Sequence, residues 1–170
     1  MSISFLYTGA DDPLARPLVD ELSREYDERY GLNDGIPSSV ELSRYPASLF
    51  AAESGGAFLL VTRGDEVVAG GAFKRVDATT AEIKRVWTSS LHRRQGLARI
   101  VMTELEREAA ERGYRVVELT TGARQPEAVA LYLGLGYEPL FDLDGDLEAI
   151  GYLGFRKPLP QPQPVESPGR

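Results

Sequence analysis

Apolar residues along this chain change their period several times, and each change marks an element. Ile3 to Thr8 is a short β-rich run that predicts a first strand. Asp11 or Asp12 offers a side-chain cap, with Pro13 in the first helical turn. Leu14, Leu18, Leu22 and Tyr26 then recur every fourth position, predicting an amphipathic helix that ends near Tyr30. From Gly31 to Gly56 the period is lost. Pro37 and Pro46 interrupt the segment, and Val40, Leu42, Leu49 and Phe50 predict one or two short helices. Strands at 57–63 and 67–76 flank a hairpin turn at Gly64-Asp65-Glu66, and 81–88 follows a second turn.

The second half is more regular. Leu97, Val101, Leu105 and Ala109 form one helical stripe, with Gly113 placed to end it. Residues 114–121 predict a strand. Residues 125–135 predict a helix with Pro126 near its start and Gly136 at its end. Residues 138–141 and 152–157 predict the last strands. A meander of hairpins followed by a β-α-β crossover implies an α/β (α+β) domain, with a mixed sheet and helices on both faces. We expect one domain over 1–157. The tail 158–170 carries five prolines and is expected to be extended or flexible.

Composition narrows the chemistry. The 170 residues include no cysteine and one histidine, so a cysteine nucleophile is excluded and a metal site is not expected. No apolar run approaches the roughly 20 residues of a membrane span. The start of the chain lacks the pattern of a signal peptide, so a cytoplasmic location without membrane attachment is expected. A net charge of −7 argues against bulk nucleic-acid binding. Within 83–103, however, Lys84, Arg85, Arg93, Arg94 and Arg99 stand without an acid. That island is either a solvated charge run or an anion site.

Its centre is Arg93-Arg94-Gln95-Gly96-Leu97-Ala98, between a strand and a helix. A helix start exposes unpaired amides, Gly96 permits close approach or a positive φ, and Ala98 leaves the amides uncovered. The arrangement is a reasonable pyrophosphate cradle, although one glycine before a helix is usually only a turn. His92, alone of its kind, reads as solvated or phosphate-facing.

The run Arg93-x-x-Gly96-x-Ala98 resembles the Arg/Gln-x-x-Gly-x-Gly/Ala signature of the GNAT superfamily of N-acetyltransferases. A second segment, Gln125-Pro-Glu-Ala-Val-Ala-Leu-Tyr132 through Gly136-Tyr137, resembles the family's Asn-x-x-Ala-x-x-Leu-Tyr-x-x-x-Gly-Phe/Tyr. Tyr45-Pro, Phe50 and the Ala-Glu-Ile-Lys-Arg run are similar to those of its small bacterial stand-alone members. The resemblance implies a mostly antiparallel twisted sheet of six or seven strands, and acetyl-CoA as acyl donor. It implies that Arg93, Arg94, Gln95, Gly96, Leu97 and Ala98 hold the pyrophosphate. Backbone groups of Val86, Trp87 and Thr88 would take the pantetheine arm and polarise the thioester. Gln125 stands where the family often has asparagine, on a longer arm. Tyr132 falls where many members protonate the leaving thiolate, and otherwise reads as a core tyrosine.

Glu82 lies 11 positions before Arg93, where the histone-acetyltransferase branch places its general base. An amine at neutral pH is mostly protonated, so a carboxylate that removes the proton is chemically needed. The alternative is a surface glutamate paired with Lys84 on the same strand face. The expected acceptor is a small-molecule or peptide amine, met by acidic surroundings and by a pocket containing Tyr30, Arg44, Tyr45 and the end of the strand at Thr121-Gly122. A homodimer is compatible with the family. A non-catalytic acyl-CoA sensor, and a nucleotide-binding domain that matches by chance, are the alternatives.

Overall fold

The computed structural model describes residues 2–33, 35–37 and 46–161. Strand β1 (Ile3–Tyr7) leads into a 3-10 turn at Pro13–Ala15, capped by Asp12, whose carboxylate accepts from the Leu14 N–H at 2.9 Å. Helix α1 (Arg16–Tyr30) then buries Leu18 and Leu22. The sequence predicted one helix from Pro13. Instead a 3-10 turn precedes the α-helix, which starts with Pro17 in its first turn, where a missing N–H costs nothing. A two-residue ribbon, β2 (Leu32–Asn33) with β3 (Ile36–Pro37), follows and was not predicted. Of the expected short helices, 3-10 turns form at Ala47–Phe50 and Ala52–Ser54. Val40, Leu42, Arg44 and Tyr45 lie outside the described residues, as does the tail beyond 161.

The main sheet continues with β4 (Ala57–Arg63), β5 (Glu66–Arg75) and β6 (Thr80–Thr88). Helix α2 (Leu97–Glu111) crosses to β7 (Val116–Gly122), and α3 (Pro126–Gly134), β8 (Glu138–Pro139), α4 (Leu147–Ile150) and β9 (Tyr152–Pro158) complete the chain. Seven strands stand in the order β1-β4-β5-β6-β7-β9-β8. Only the β6–β7 pair is parallel, so the sheet is mixed and mostly antiparallel. The short α4 was not predicted, and β8 is two residues long where four were expected. At the far end, β9 runs to Pro158 and Leu159 is buried, its N–H bonded to the Arg115 carbonyl at 2.8 Å, so the packed chain reaches past the expected limit of 157.

Two apolar clusters lie on opposite faces of the sheet. One gathers Leu18 and Leu22 of α1 with Phe50, Phe58, Leu60, Ala72 and Trp87. The larger one gathers the predicted stripe of α2 with Phe73, Ile83, Leu119, Tyr132, Tyr137 and Phe155. Strand β5 is thinned between them by two successive glycines. A Cβ at Gly70 would stand 2.7 Å from Leu18 Cδ1 of α1, and one at Gly71 would stand 2.8 Å from Val101 Cγ1 of α2. Both helices therefore approach the sheet closely at its centre.

Opposite Gly71 the β5–β6 register slips by one residue. Arg85 sits at this bulge with φ of +60°, a left-handed conformation that is costly for a residue with a Cβ. The bulge turns β6 away from β7. The two strands pair only at Thr80–Val116, Ala81–Val117 and Glu82–Glu118. Beyond Glu82, β6 stays bonded to β5 as far as Thr88, while β7 stays bonded to β9. The sheet is thus open as a V between its central strands.

Candidate active site

A cleft occupies the opening of the V. Its walls come from β6 (Ile83, Lys84, Arg85, Val86), from β7 (Leu119, Thr120, Thr121), from α1 (Leu22, Glu25, Tyr26, Arg29), from Tyr132 of α3 and from Gln125 just before that helix. Helix α1 is latched over it. Arg29 pairs with Glu127 and donates to the Arg124 carbonyl at 3.1 Å, while Arg124 donates to the Arg29 carbonyl at 2.9 Å. Gln125 donates to the Tyr30 hydroxyl at 3.3 Å. A side chain at Gly122 would collide with that same hydroxyl, so the end of β7 must be bare for α1 to close down.

Tyr132 stands in this cleft on the face of α3 that meets the core. Its ring packs on Tyr137 at 5.9 Å and on Phe155 at 5.5 Å between centroids, and only 7% of the residue is exposed. Among the described residues its hydroxyl makes no hydrogen bond. Burial, and then the nearby Tyr26, push its pKa well above that of an ordinary tyrosine, so the phenol keeps its proton at any physiological pH.

The loop before α2 is tied to the cleft wall by the pair between Arg93 and Glu25. Arg94 and Gly96 both hold left-handed conformations, with φ of +64° and +74°. Gly96 caps α2 without a side-chain acceptor, and the first helical bond runs from the Ile100 N–H to the Gly96 carbonyl at 3.1 Å. The amides of Leu97, Ala98 and Arg99 consequently have no acceptor among the described residues. A Cβ at Gly96 would meet nothing within 4 Å, so the space beside this residue is open. Three free amides and a positive helix end make an anion-binding geometry.

The side chains of the loop are placed differently from a simple basic island. Arg93 pairs with Glu25 of α1 and lies 3.8 Å from Glu21. Glu21 also accepts from the Ser90 N–H at 2.6 Å. Gln95 accepts from Arg63 at 2.9 Å, and His92 pairs with Glu66 at 2.8 Å. Carboxylates of α1 and the sheet thus pin the loop, and Arg94 and Arg99 point to solvent.

Not all predicted site residues converge. Tyr132, Gln125 and Val86 line the cleft. Trp87 packs under α1 in the smaller core, 3% exposed, with its indole nitrogen buried and unpartnered, as is the Thr88 hydroxyl. Glu82 does not reach the cleft lining. Its carboxylate lies 3.3 Å from Lys74 and 3.6 Å from Lys84, the strand-face pairing that sequence left open. Glu25, Tyr26 and Arg29 were missed, and Arg85 entered only as part of the basic island. For α1 the signal was present: Glu21, Glu25 and Arg29 repeat every four residues beside the apolar stripe. No residue pattern announced the left-handed Arg85.

Among the described residues no group of three or more histidine, cysteine, aspartate or glutamate side chains gathers to hold a metal, and no helix is long and apolar enough to cross a membrane.

A mixed sheet splayed between its central strands, followed by a helix with an uncapped start, fits the acyltransferase class that the sequence resemblance implies. The profile of the acetyltransferase (GNAT) family matches residues 18–137, and the chain belongs to that family. It is 37% identical over 92 residues to the uncharacterized N-acetyltransferase YsnE of Bacillus subtilis, covering 51% of this chain and 61% of that protein. To human N-acetyltransferase 8 it is 32% identical over 94 residues, covering 52% of this chain and 41% of the relative. The chain therefore spans less than two thirds of the curated relatives it matches. An acetyltransferase from Streptococcus agalactiae shares the fold with a TM-score of 0.72 at 17% identity, covering 92% of this chain and 98% of that one. A GNAT family acetyltransferase from Elizabethkingia anophelis with acetyl-CoA bound does so with a TM-score of 0.63 at 15% identity, again covering 92% and 98%.

Proposed function

We propose that this protein transfers an acetyl group from acetyl-CoA to a primary amine by direct attack. The observation that carries this reading is the V between β6 and β7, with a buried, proton-retaining tyrosine inside and, tied to its wall through Arg93 and Glu25, a loop whose following helix-start amides lack acceptors among the described residues. The pyrophosphate is received by the amides after Gly96, with Arg94 beside them. The pantetheine arm lies along β6 near Val86, where the strand has lost its β7 partner. The amine approaches from the α1 side, and its attack on the thioester carbon expels the thiolate, which takes the Tyr132 proton. No covalent enzyme intermediate is needed. The fold is shared with a GNAT protein that has acetyl-CoA bound, which supports acetyl-CoA as the donor.

The proton leaving the amine goes to a carboxylate. Glu82 is our first assignment, acting through water, because its strand neighbour Lys84 lines the cleft on the same face. Glu25 lines the cleft itself and favours a second reading, in which it accepts the proton once pyrophosphate draws Arg93 away from it.

Titration with acetyl-CoA by calorimetry, with ATP as control, tests the assignment. We expect salt-sensitive binding of acetyl-CoA and none of ATP. Gly96→Glu adds bulk and negative charge before the free amides and is expected to abolish it. Undiminished affinity in a folded Gly96→Glu protein would refute the cradle.

A further inference from the structure

The two edges of the main sheet are built differently. One is β8, two residues long and ending in Pro139, which has no N–H to offer. The other is β1, five residues long, which pairs with β4 alone among the described residues and without a slip in register. Residues 1–10 contain no aspartate, glutamate, lysine, arginine or proline. The usual guards of an edge strand, namely charge, proline and bulge, are thus missing from β1. The ladder fixes which of its bonding groups face out. The Thr8 N–H donates to the Phe58 carbonyl at 3.0 Å, continuing the register in which Tyr7 faces Leu59. Alternate residues of an antiparallel strand bond to the same side, so Thr8, Leu6 and Ser4 bond inward to β4. Ile3, Phe5 and Tyr7 therefore turn their N–H and C=O groups outward. Both apolar layers also overhang this edge. Phe5 stands opposite the fully buried Val61 and between Ile3 and Tyr7, which pack on the larger core, yet it is 46% exposed. Leu6 stands opposite Leu60 of the smaller core and is 37% exposed.

We propose that β1 is a dimerisation edge, on which β1 of a second copy of this chain pairs antiparallel about a two-fold axis at Phe5. The proposal stands independently of the acyl-CoA reading of the cleft. Three features select a second copy as the occupant. The first is the phase of the hydrogen bonds. Centring on Phe5 sets Phe5 against its own counterpart and Ile3 against Tyr7 of the second copy, and these are the residues whose bonding groups face outward. Each such pair exchanges two main-chain hydrogen bonds, whereas a centre at Ser4 or Leu6 would oppose residues that already bond inward. Phe5 is also the middle of Ile3–Tyr7, so this centre uses the whole strand. The second is charge. Each copy carries −7, so two copies repel over most of their surface, and the uncharged run at 1–10 is where they can meet without opposing like charges. The third is the overhang. A two-fold axis brings the two Phe5 rings together on one face and sets Leu6 against Ser4 of the second copy on the other, which continues both apolar layers across the junction.

Sedimentation of the full chain over a range of concentrations tests this. We expect a monomer–dimer equilibrium that tightens as salt screens the repulsion between the acidic copies. A monomer at about 100 μM at every salt concentration overturns the proposal. Loosening by salt overturns it too, because it marks an interface built from ion pairs. Phe5→Pro removes one outward N–H and leaves the bonds to β4 in place, so it should raise the dimer Kd by about tenfold or more while the protein still unfolds cooperatively in urea. An undiminished dimer in the folded variant places the interface elsewhere and overturns the proposal. If Phe5→Pro does not fold, cysteines decide, since the chain has none of its own. The register sets position 4 against position 6 of the second copy with Cα atoms about 4.5 Å apart, within reach of a disulfide. Positions 4 and 4, or 6 and 6, are out of register. A mixture of Ser4→Cys and Leu6→Cys proteins should therefore oxidise to a covalent dimer several times faster than either protein alone. Equal rates in the three samples, or no cross-link in any, overturn it.

Discussion

Tyr132 shows how one residue is both structural and chemical. Its ring fills the core between Tyr137 and Phe155, and the residue also lines the cleft. Replacing Tyr132 by Phe removes an oxygen that bonds to nothing among the described residues, so folding stability should change by less than about 0.5 kcal/mol. Turnover should fall by about a hundredfold with acetyl-CoA affinity preserved, read from steady-state kinetics beside calorimetry. A rate near wild type would leave Tyr132 as packing alone. For the base, Glu82→Gln and Glu25→Gln are compared across pH. The variant lacking the base should lose activity at neutral pH and regain it as the amine deprotonates, whereas a pH-independent loss marks a structural carboxylate. At this scale the sequence was informative where a residue type is dictated by backbone: Gly96 was singled out for a positive φ and has one. It was silent where a role depends on what stands opposite. The partners of Glu82 include Lys74 on the neighbouring strand, and those of Arg93 sit on α1, far away in the chain.

Elements were legible in proportion to their periodicity. The four-residue repeat of α1 and the stripe of α2 predicted both helices, because burial of one face enforces the spacing. The short pieces, namely β2, β3 and α4, carry too few residues for a period to show. The bulge in β6 left no trace in the pattern either, since it follows from what β5 presents to it. Gly70 and Gly71 admit α1 and α2 to the two faces of β5 at the level of the register slip. A methyl at position 71 would stand 2.8 Å from Val101 Cγ1 and 3.0 Å from Leu105 Cδ1, closer than packed carbons tolerate. Gly71→Ala should therefore cost about 1–3 kcal/mol in urea denaturation. Adding Val101→Ala should return part of that loss, a non-additivity that identifies the clash. Simple addition of the two losses would show that position 71 is sensitive for another reason.

For the whole molecule, four tyrosines share one electrostatic condition. Tyr7, Tyr114, Tyr132 and Tyr137 all have raised pKa values, with burial the largest cause in each. Glu104 adds to the effect at Tyr7 and Glu106 at Tyr137, where each carboxylate accepts the phenolic proton, at 2.9 and 3.0 Å. Below about pH 10 these phenols are protonated in both folded and unfolded chains, so nothing is lost. Above it the unfolded chain sheds protons that the folded chain keeps, and stability falls as pH rises. Urea midpoints between pH 8 and 11 should drop on the alkaline side, and Tyr137→Phe should make the drop shallower. A flat profile would contradict the burial of these rings. The division of the sheet has a different consequence. Two central strands held together by three residue pairs leave the halves of the sheet joined chiefly through the helices and core side chains packed across them. On the acyl-CoA reading, a molecule that lies in the gap acts as a missing strand. The free energy of its binding adds directly to that of folding. The lifetime of the protein against heat or proteolysis would then follow the supply of its own acyl donor, so that a cell short of acetyl-CoA would lose the enzyme along with the substrate.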